Sequence, residues 1–120
     1  MEVTRVTVDE IRERLDRGEP LAFVDTRNAK DWGESDKTAA GAIRVPSDKL
    51  LDHLSEIPRD RTVITYCDCN YEMSSARVAQ RLLEQGWKNV HPLHGGFAAW
   101  EKAGLPVDPK PADAKSADAP

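Results

Sequence analysis

Residues 62 to 82, TVITYCDCNYEMSSARVAQRL, pass without a break from a β-branched and aromatic run, through two cysteines, into a helical repeat. Thr62 to Tyr66 has the composition of a buried strand, and the charged turn PRDR at 58–61 sets its start. Beyond the cysteines, Val78, Ala79, Leu82 and Leu83 fall on one helical face opposite Arg77, Gln80, Arg81 and Glu84, and Gly86 ends the helix. A turn that joins a strand to a helix N-terminus aims successive backbone N–H groups at one spot. Such a cradle favours an anion and lowers a cysteine thiol from its ordinary pKa of about 8.5. A reactive thiol fits there, and the two thiols of this turn are the only ones in the chain.

Working outward, the same alternation of strand and helix recurs. Thr7 and Glu10 form a capping box, after which Val8, Ile11 and Leu15 make one stripe that closes near Gly18. LAFVD, 21–25, is a compact apolar run expected to be a strand buried on both faces. Residues 28–40 show no period and read as a long connection, followed by a short strand at 42–45. A helix then opens at Pro46 and Ser47 with Leu50, Leu51 and Leu54 inward. After Gly86 come a strand at 89–92, the pair Gly95–Gly96, and a helix from Phe97 to Lys102. Trp32, Trp87 and Trp100 are expected in the core or at its rim. From Asp108 on, DPKPADAKSADAP has no apolar face to bury. The expected organisation is therefore one domain over 1–107 and a disordered tail over 108–120.

Strands alternating with helices predict an α/β layered fold with a mostly parallel sheet, and in such sheets ligands sit at the carboxyl ends of the strands. Three segments should meet along that edge: DTR at 25–27, CDCNYEMS at 67–74 and HPLHGG at 91–96. Composition excludes several functions. With 21 acidic and 17 basic residues the net charge is −4, which opposes a general nucleic-acid binder, and no basic run suits an anionic membrane. Neither a signal peptide nor a membrane span is visible, so a cytoplasmic, reducing setting is expected. There, two cysteines are reactive or metal-binding more often than they are a structural bridge.

Taken together, AFVDTR, GAIRVP, VITYC and ARVAQRLLEQGWKNVHPLHGGFAAWEKAGLPV resemble the rhodanese-like sulfurtransferase family in order and spacing, over about residues 3 to 107. The resemblance implies a sandwich around a five-stranded parallel sheet. It also implies a cysteine that takes a sulfane sulfur as a persulfide and passes it to a thiol or protein acceptor, with no metal or organic cofactor. In the family the nucleophile follows the last aromatic residue of its strand, which makes it Cys67 here.

The loop departs from the family pattern. Where the usual six-residue loop carries a central Gly and a final Arg, counting from Cys67 gives Asn70 and Glu72. Counting back from Gly86 without a gap puts the nucleophile's place on Cys69, so the loop is either two residues longer or shifted. The longer loop is preferred, because the strand ends naturally at Tyr66. CDCNYEMSSAR then resembles a rhodanese variant in which a Cys-x-Cys pair and a glutamate replace the ordinary loop. Cys67 is the candidate nucleophile, Cys69 the candidate second thiol, and Asp68, Asn70, Tyr71, Glu72, Met73 and Ser74 complete the loop, with the amides of 68–73 as the cradle.

A loop with Asp68 and Glu72 and no arginine opposes a dianion such as thiosulfate. Arg27 or Arg77 could supply the missing charge from the site edge, against plainer roles as an ion pair with Asp25 and a solvated helix residue. His91 and His94 flank the same edge. Three other classes compete. A cysteine phosphatase needs an arginine that neither cysteine has. A zinc site from Cys67, Cys69, His91 and His94 has the right ligand types, but Cys-x-Cys is tighter than the usual knuckle. A non-catalytic module that binds partners or senses sulfur would explain the altered loop as lost turnover.

Overall fold

The computed structural model describes residues 3–67 and 72–110, the side chains of Glu72 and Met73 excepted. Elements run in the order α1 (Val8–Asp16), β1 (Leu21–Asp25), α2 (Ala29–Glu34), β2 (Lys37–Ala39), β3 (Ile43–Arg44), α3 (Leu50–His53), β4 (Thr62–Tyr66), α4 (Glu72–Glu84), β5 (Val90–Pro92), α5 (Gly96–Lys102) and β6 (Val107–Pro109). Four strands form a parallel sheet in the order β3-β1-β4-β5, with Leu21 opposite Thr62 and Asp25 opposite Tyr66. This is the expected α/β architecture.

The fifth parallel strand is reduced to one bridge, Val6 to Leu93. Val6 donates to the Pro92 carbonyl and accepts from the His94 N–H. It can go no further because Thr7 turns away to cap α1, its hydroxyl accepting from the Glu10 N–H.

Period-two alternation sorts the strand residues into two layers. Ala22, Val24 and Val63 pack with Val78, Ala79, Leu82 and Trp87 on the α4 side. Phe23, Ile64 and Tyr66 pack with Ile11, Phe97, Trp100 and Leu105 on the side of α1 and α5. There the Phe23 and Trp100 rings meet edge to face, with centroids 4.9 Å apart, a geometry worth about 0.5–1.5 kcal/mol beyond its burial.

The structure corrects three local expectations. Residues 28–40 contain α2 and β2: Asn28 caps α2 by accepting from the Asp31 N–H, and Trp32 is the one residue of α2 that is buried. One apolar anchor in six residues leaves no periodic signal. The Leu50 segment is a short helix between two 3₁₀ turns, and Leu51 is 67% exposed while Leu50 is buried. Finally, the boundary expected at Asp108 falls inside β6, which pairs antiparallel with β2 across about seventy residues of chain. The Lys110 N–H donates to Asp36 and its ammonium to the Trp32 carbonyl. Residues 111–120 of the expected tail lie outside those described.

This clasp separates two truncations. A chain ending at Lys110 should melt like the full chain, whereas one ending at Pro106 should lose about 1–2 kcal/mol and several degrees in Tm, read by calorimetry. Equal melting of the two would mean that β6 adds nothing to the domain.

Candidate active site

The strand order reverses direction between β1 and β4: β3 lies on one side of β1, while β4 and β5 lie on the other. Such a switch point opens a crevice beyond the carboxyl ends of the strands. Cys67 stands there, immediately after β4, 2% exposed. Alternation dictates its direction. Tyr66 faces the Phe97 layer, so Thr65 and Cys67 face α4. The Thr65 hydroxyl donates to the Ser75 carbonyl at 2.8 Å, and Cys67 Sγ lies 3.6 Å from the buried hydroxyl of Ser75, its thiol donating.

Ser75 was not among the residues singled out from sequence. A signal for it exists: Ser75, Val78, Ala79 and Leu82 are spaced i, i+3, i+4, i+7 and all are fully buried. A serine heading an otherwise apolar stripe, in the first turn of a helix that follows a cysteine, needs a polar partner.

The other wall comes from the diglycine turn. Gly95 and Gly96 have φ of +82° and +63°, and a Cβ on Gly95 would lie 2.8 Å from that of Ala99. This tight left-handed turn presents the Phe97 N–H to the Cys67 carbonyl at 2.8 Å and stacks the Phe97 ring on Tyr66, centroids 5.5 Å apart. The end of β4 is thereby pinned from both sides.

Beside it lies a buried charge network. Asp25 is fully buried and Arg27 is 3% exposed. The guanidinium donates to both carboxylate oxygens, with Nη2 to Oδ2 at 2.7 Å, and also to the Lys37 carbonyl. The Arg27 backbone N–H donates to the same carboxylate. Tyr66 donates its hydroxyl to Asp25 Oδ2 at 2.9 Å and accepts from the Ala39 N–H. Burial, reinforced by the negative charge of Asp25, pushes the phenol well above its usual value. It therefore stays protonated and serves as donor and acceptor together. Arg27 also lies against the Phe97 ring, 4.5 Å from its centroid. Its charge is thus balanced by Asp25, as in the plainer of the two roles considered for it.

Arg77 is exposed on the second turn of α4. Ser74 is half-buried in the first turn. His94 is exposed, and His91 engages the Thr4 carbonyl through Nδ1 at 2.8 Å. Asp68, Cys69, Asn70 and Tyr71, and with them the choice between the two thiols and the arginine-free loop, lie outside the described residues, as do the side chains of Glu72 and Met73. Among the described residues no group of three His, Cys, Asp or Glu is arranged to hold a metal, and no helix is long and apolar enough to cross a membrane.

The Cys67–Ser75 contact generates a prediction. Once the thiol ionises, the Ser75 hydroxyl can turn to donate to the thiolate, so Ser75→Ala should raise the thiol pKa and slow alkylation of Cys67 at neutral pH about tenfold. The pH profile of alkylation is the readout. A profile unchanged from wild type would assign Ser75 to packing alone.

Comparison with known proteins agrees with this geometry. A family model described as rhodanese-like domain matches residues 7–103. A protein of Allochromatium vinosum named sulfurtransferase is 32% identical over 108 residues, which cover 88% of this chain and 94% of the relative. An HTH-type transcriptional regulator of Mycobacterium tuberculosis is 33% identical over 103 residues, 86% of this chain but 44% of that protein. The solution structure of a rhodanese-like domain from Anabaena sp. has the same fold, with a TM-score of 0.71 at 24% identity over 100% of this chain and 86% of that one. With a match across most of its length and a near full-length relative at this identity, the chain belongs to the rhodanese-like domain family.

Proposed function

We propose that this protein is a sulfurtransferase in which Cys67 accepts a sulfane sulfur as a persulfide and delivers it to a thiol. The observation that carries this reading is the buried Cys67 sulfur beside the Ser75 hydroxyl at the head of α4. The relative named sulfurtransferase supports it at the family level.

In the first half-reaction the Cys67 thiolate attacks the outer sulfur of a persulfide or polysulfide. The S–S bond of the donor breaks, and the leaving thiolate departs with the bonding pair and takes up a proton. The enzyme then carries Cys67–S–S⁻. In the second, an acceptor thiolate attacks the outer sulfur, the new S–S bond breaks, and the Cys67 thiolate is restored. No net oxidation occurs, so no redox cofactor is required. The positive end of α4, the loop amides of 68–73 and the Ser75 hydroxyl would stabilise the thiolate and the terminal sulfur. A reducing cytoplasm would keep Cys67 available for this cycle.

Thiosulfate fits less well than a neutral or protein-borne donor. Arg27 is balanced by Asp25, and Glu72 opens α4 where the family carries a cation in the loop. A second reading, a sulfur sensor without turnover, draws on the transcriptional regulator among the relatives.

Incubation with inorganic polysulfide decides between the two readings and assigns the thiols. Wild type and Cys69→Ser should gain one sulfur in intact mass and return it to added glutathione, while Cys67→Ser should not load. Loading retained in Cys67→Ser and lost in Cys69→Ser would move the nucleophile two residues along. Loading without transfer to any thiol would favour the sensor.

Donor choice gives a second test. Thiosulfate turnover should rise from wild type to Glu72→Gln to Glu72→Arg, each step several-fold, since one charge near the sulfur changes the barrier by roughly 1 kcal/mol at an effective dielectric near 20. Steady-state assays of the three proteins with thiosulfate check this. Equal rates would remove Glu72 from the explanation.

A further inference from the structure

The α4 face of the domain carries a cleft of about 440 Å³ between this helix and the segment after β3, lined by Asp48, Lys49, Leu51 and Asp52 on one side and Arg77 and Arg81 on the other. A shallower cleft of about 390 Å³ continues along α4 past Arg77 and Arg81 to Glu84. The segment after β3 leaves the sheet at the same carboxyl edge as Cys67, because β3 and β4 both run parallel to β1. Cys67 faces α4 as well, so the groove and the thiol share one layer of the domain, the groove running from the Ser47–Asp52 segment along α4 toward the end of the helix.

Two features of the groove stand out. Lys49, Arg77 and Arg81 form no ion pair among the described residues, although Asp48 and Asp52 line the same cleft. Leu51, at its side, is one of two large hydrophobic residues exposed among those described. Unpaired guanidinium groups offer bidentate donors that carboxylates satisfy well.

We infer that this groove docks an acidic, extended segment of a partner protein, carboxylates at alternate positions meeting Arg77 and Arg81 and an apolar side chain covering Leu51. The spacing supports a peptide. Residues i and i+4 of a helix place Cβ atoms about 5–6 Å apart, and alternate residues of an extended strand project on one side about 6.6–7 Å apart. The eight residues from Arg77 to Glu84 span about 10 Å, room for three or four extended residues. Single-stranded nucleic acid has a similar repeat, but among the described residues the groove offers no aromatic side chain on which bases could stack. That the docked protein is the one exchanging sulfur with Cys67 rests on the function proposed above.

The probe is a fluorescein-labelled ten-residue peptide alternating Asp or Glu with apolar residues, one of them Leu, set against the same peptide with Lys at every acidic position. Fluorescence anisotropy at low salt should show the acidic peptide binding wild type and the lysine peptide failing to bind. Lys49→Glu/Arg81→Glu should weaken binding about tenfold, and Asp48→Asn/Asp52→Asn should tighten it several-fold. Added salt should weaken it. No binding of the acidic peptide at millimolar concentration, equal affinity in wild type and both variants, or tighter binding of a labelled single-stranded DNA would each overturn the docking surface. Polysulfide loading measured by intact mass on the same proteins keeps the two readings apart. Normal loading without peptide binding defeats the groove alone. Peptide binding without loading leaves the groove standing and defeats the sulfur transfer.

Discussion

The carboxylate of Asp25 is the point to which the carboxyl edge of the sheet, where Cys67 stands, is tied. It ends β1, receives the Arg27 guanidinium and the Tyr66 hydroxyl, and lies 3.8 Å from an Arg44 nitrogen. Through these partners it joins β1 to β4 and to β3, and Tyr66 extends the link to β2 by accepting from the Ala39 N–H. Arg44 adds donations to the carbonyls of Asp25 and Arg27. Burying this pair has a desolvation cost, offset by the attraction between the two charges at 2.7 Å together with the further hydrogen bonds on the carboxylate. Loss of one partner would strand a charge in the core, at a cost on the order of 3–5 kcal/mol.

This arrangement positions the thiol through the chain, by fixing the residue before it. Tyr66 is held on one face by Asp25 and Phe97, so its successor in the chain must point to the other face. There the first turn of α4 waits with Ser75. The Phe97 N–H then holds the Cys67 carbonyl. A single residue of slippage in β4 would turn the cysteine into the Phe97 layer and away from the helix terminus. Rigid pairing of β1 with β4 along five residues guards against that slip.

The same network explains why an arginine near the site need not serve an anionic donor. Arg27 sits at a strand end, where its sequence position suits a binding role, yet its donors go to Asp25 and Lys37 and its face to aromatic rings. Along the groove on α4, Lys49, Arg77 and Arg81 form no ion pair among the described residues. The molecule thus separates a cation used to hold its own strands from cations available to another molecule.

Much of this was legible in the sequence because it is local. The β-branched run of β4, the capping box of α1, the apolar stripe of α4 and the closing glycines each leave a short-range mark, and together they put Cys67 between a strand end and a helix start. Ser75 was equally legible, as a polar residue on the buried stripe, once the parity of Thr65 and Cys67 is considered. Tertiary structure alone decided the rest. The pairing of β2 with β6, the hydrogen bond from Tyr66 to Asp25 and the exposure of Leu51 all depend on residues far apart in the chain. Contacts between distant residues leave no periodic trace in either partner, so only the folded chain brings them to light.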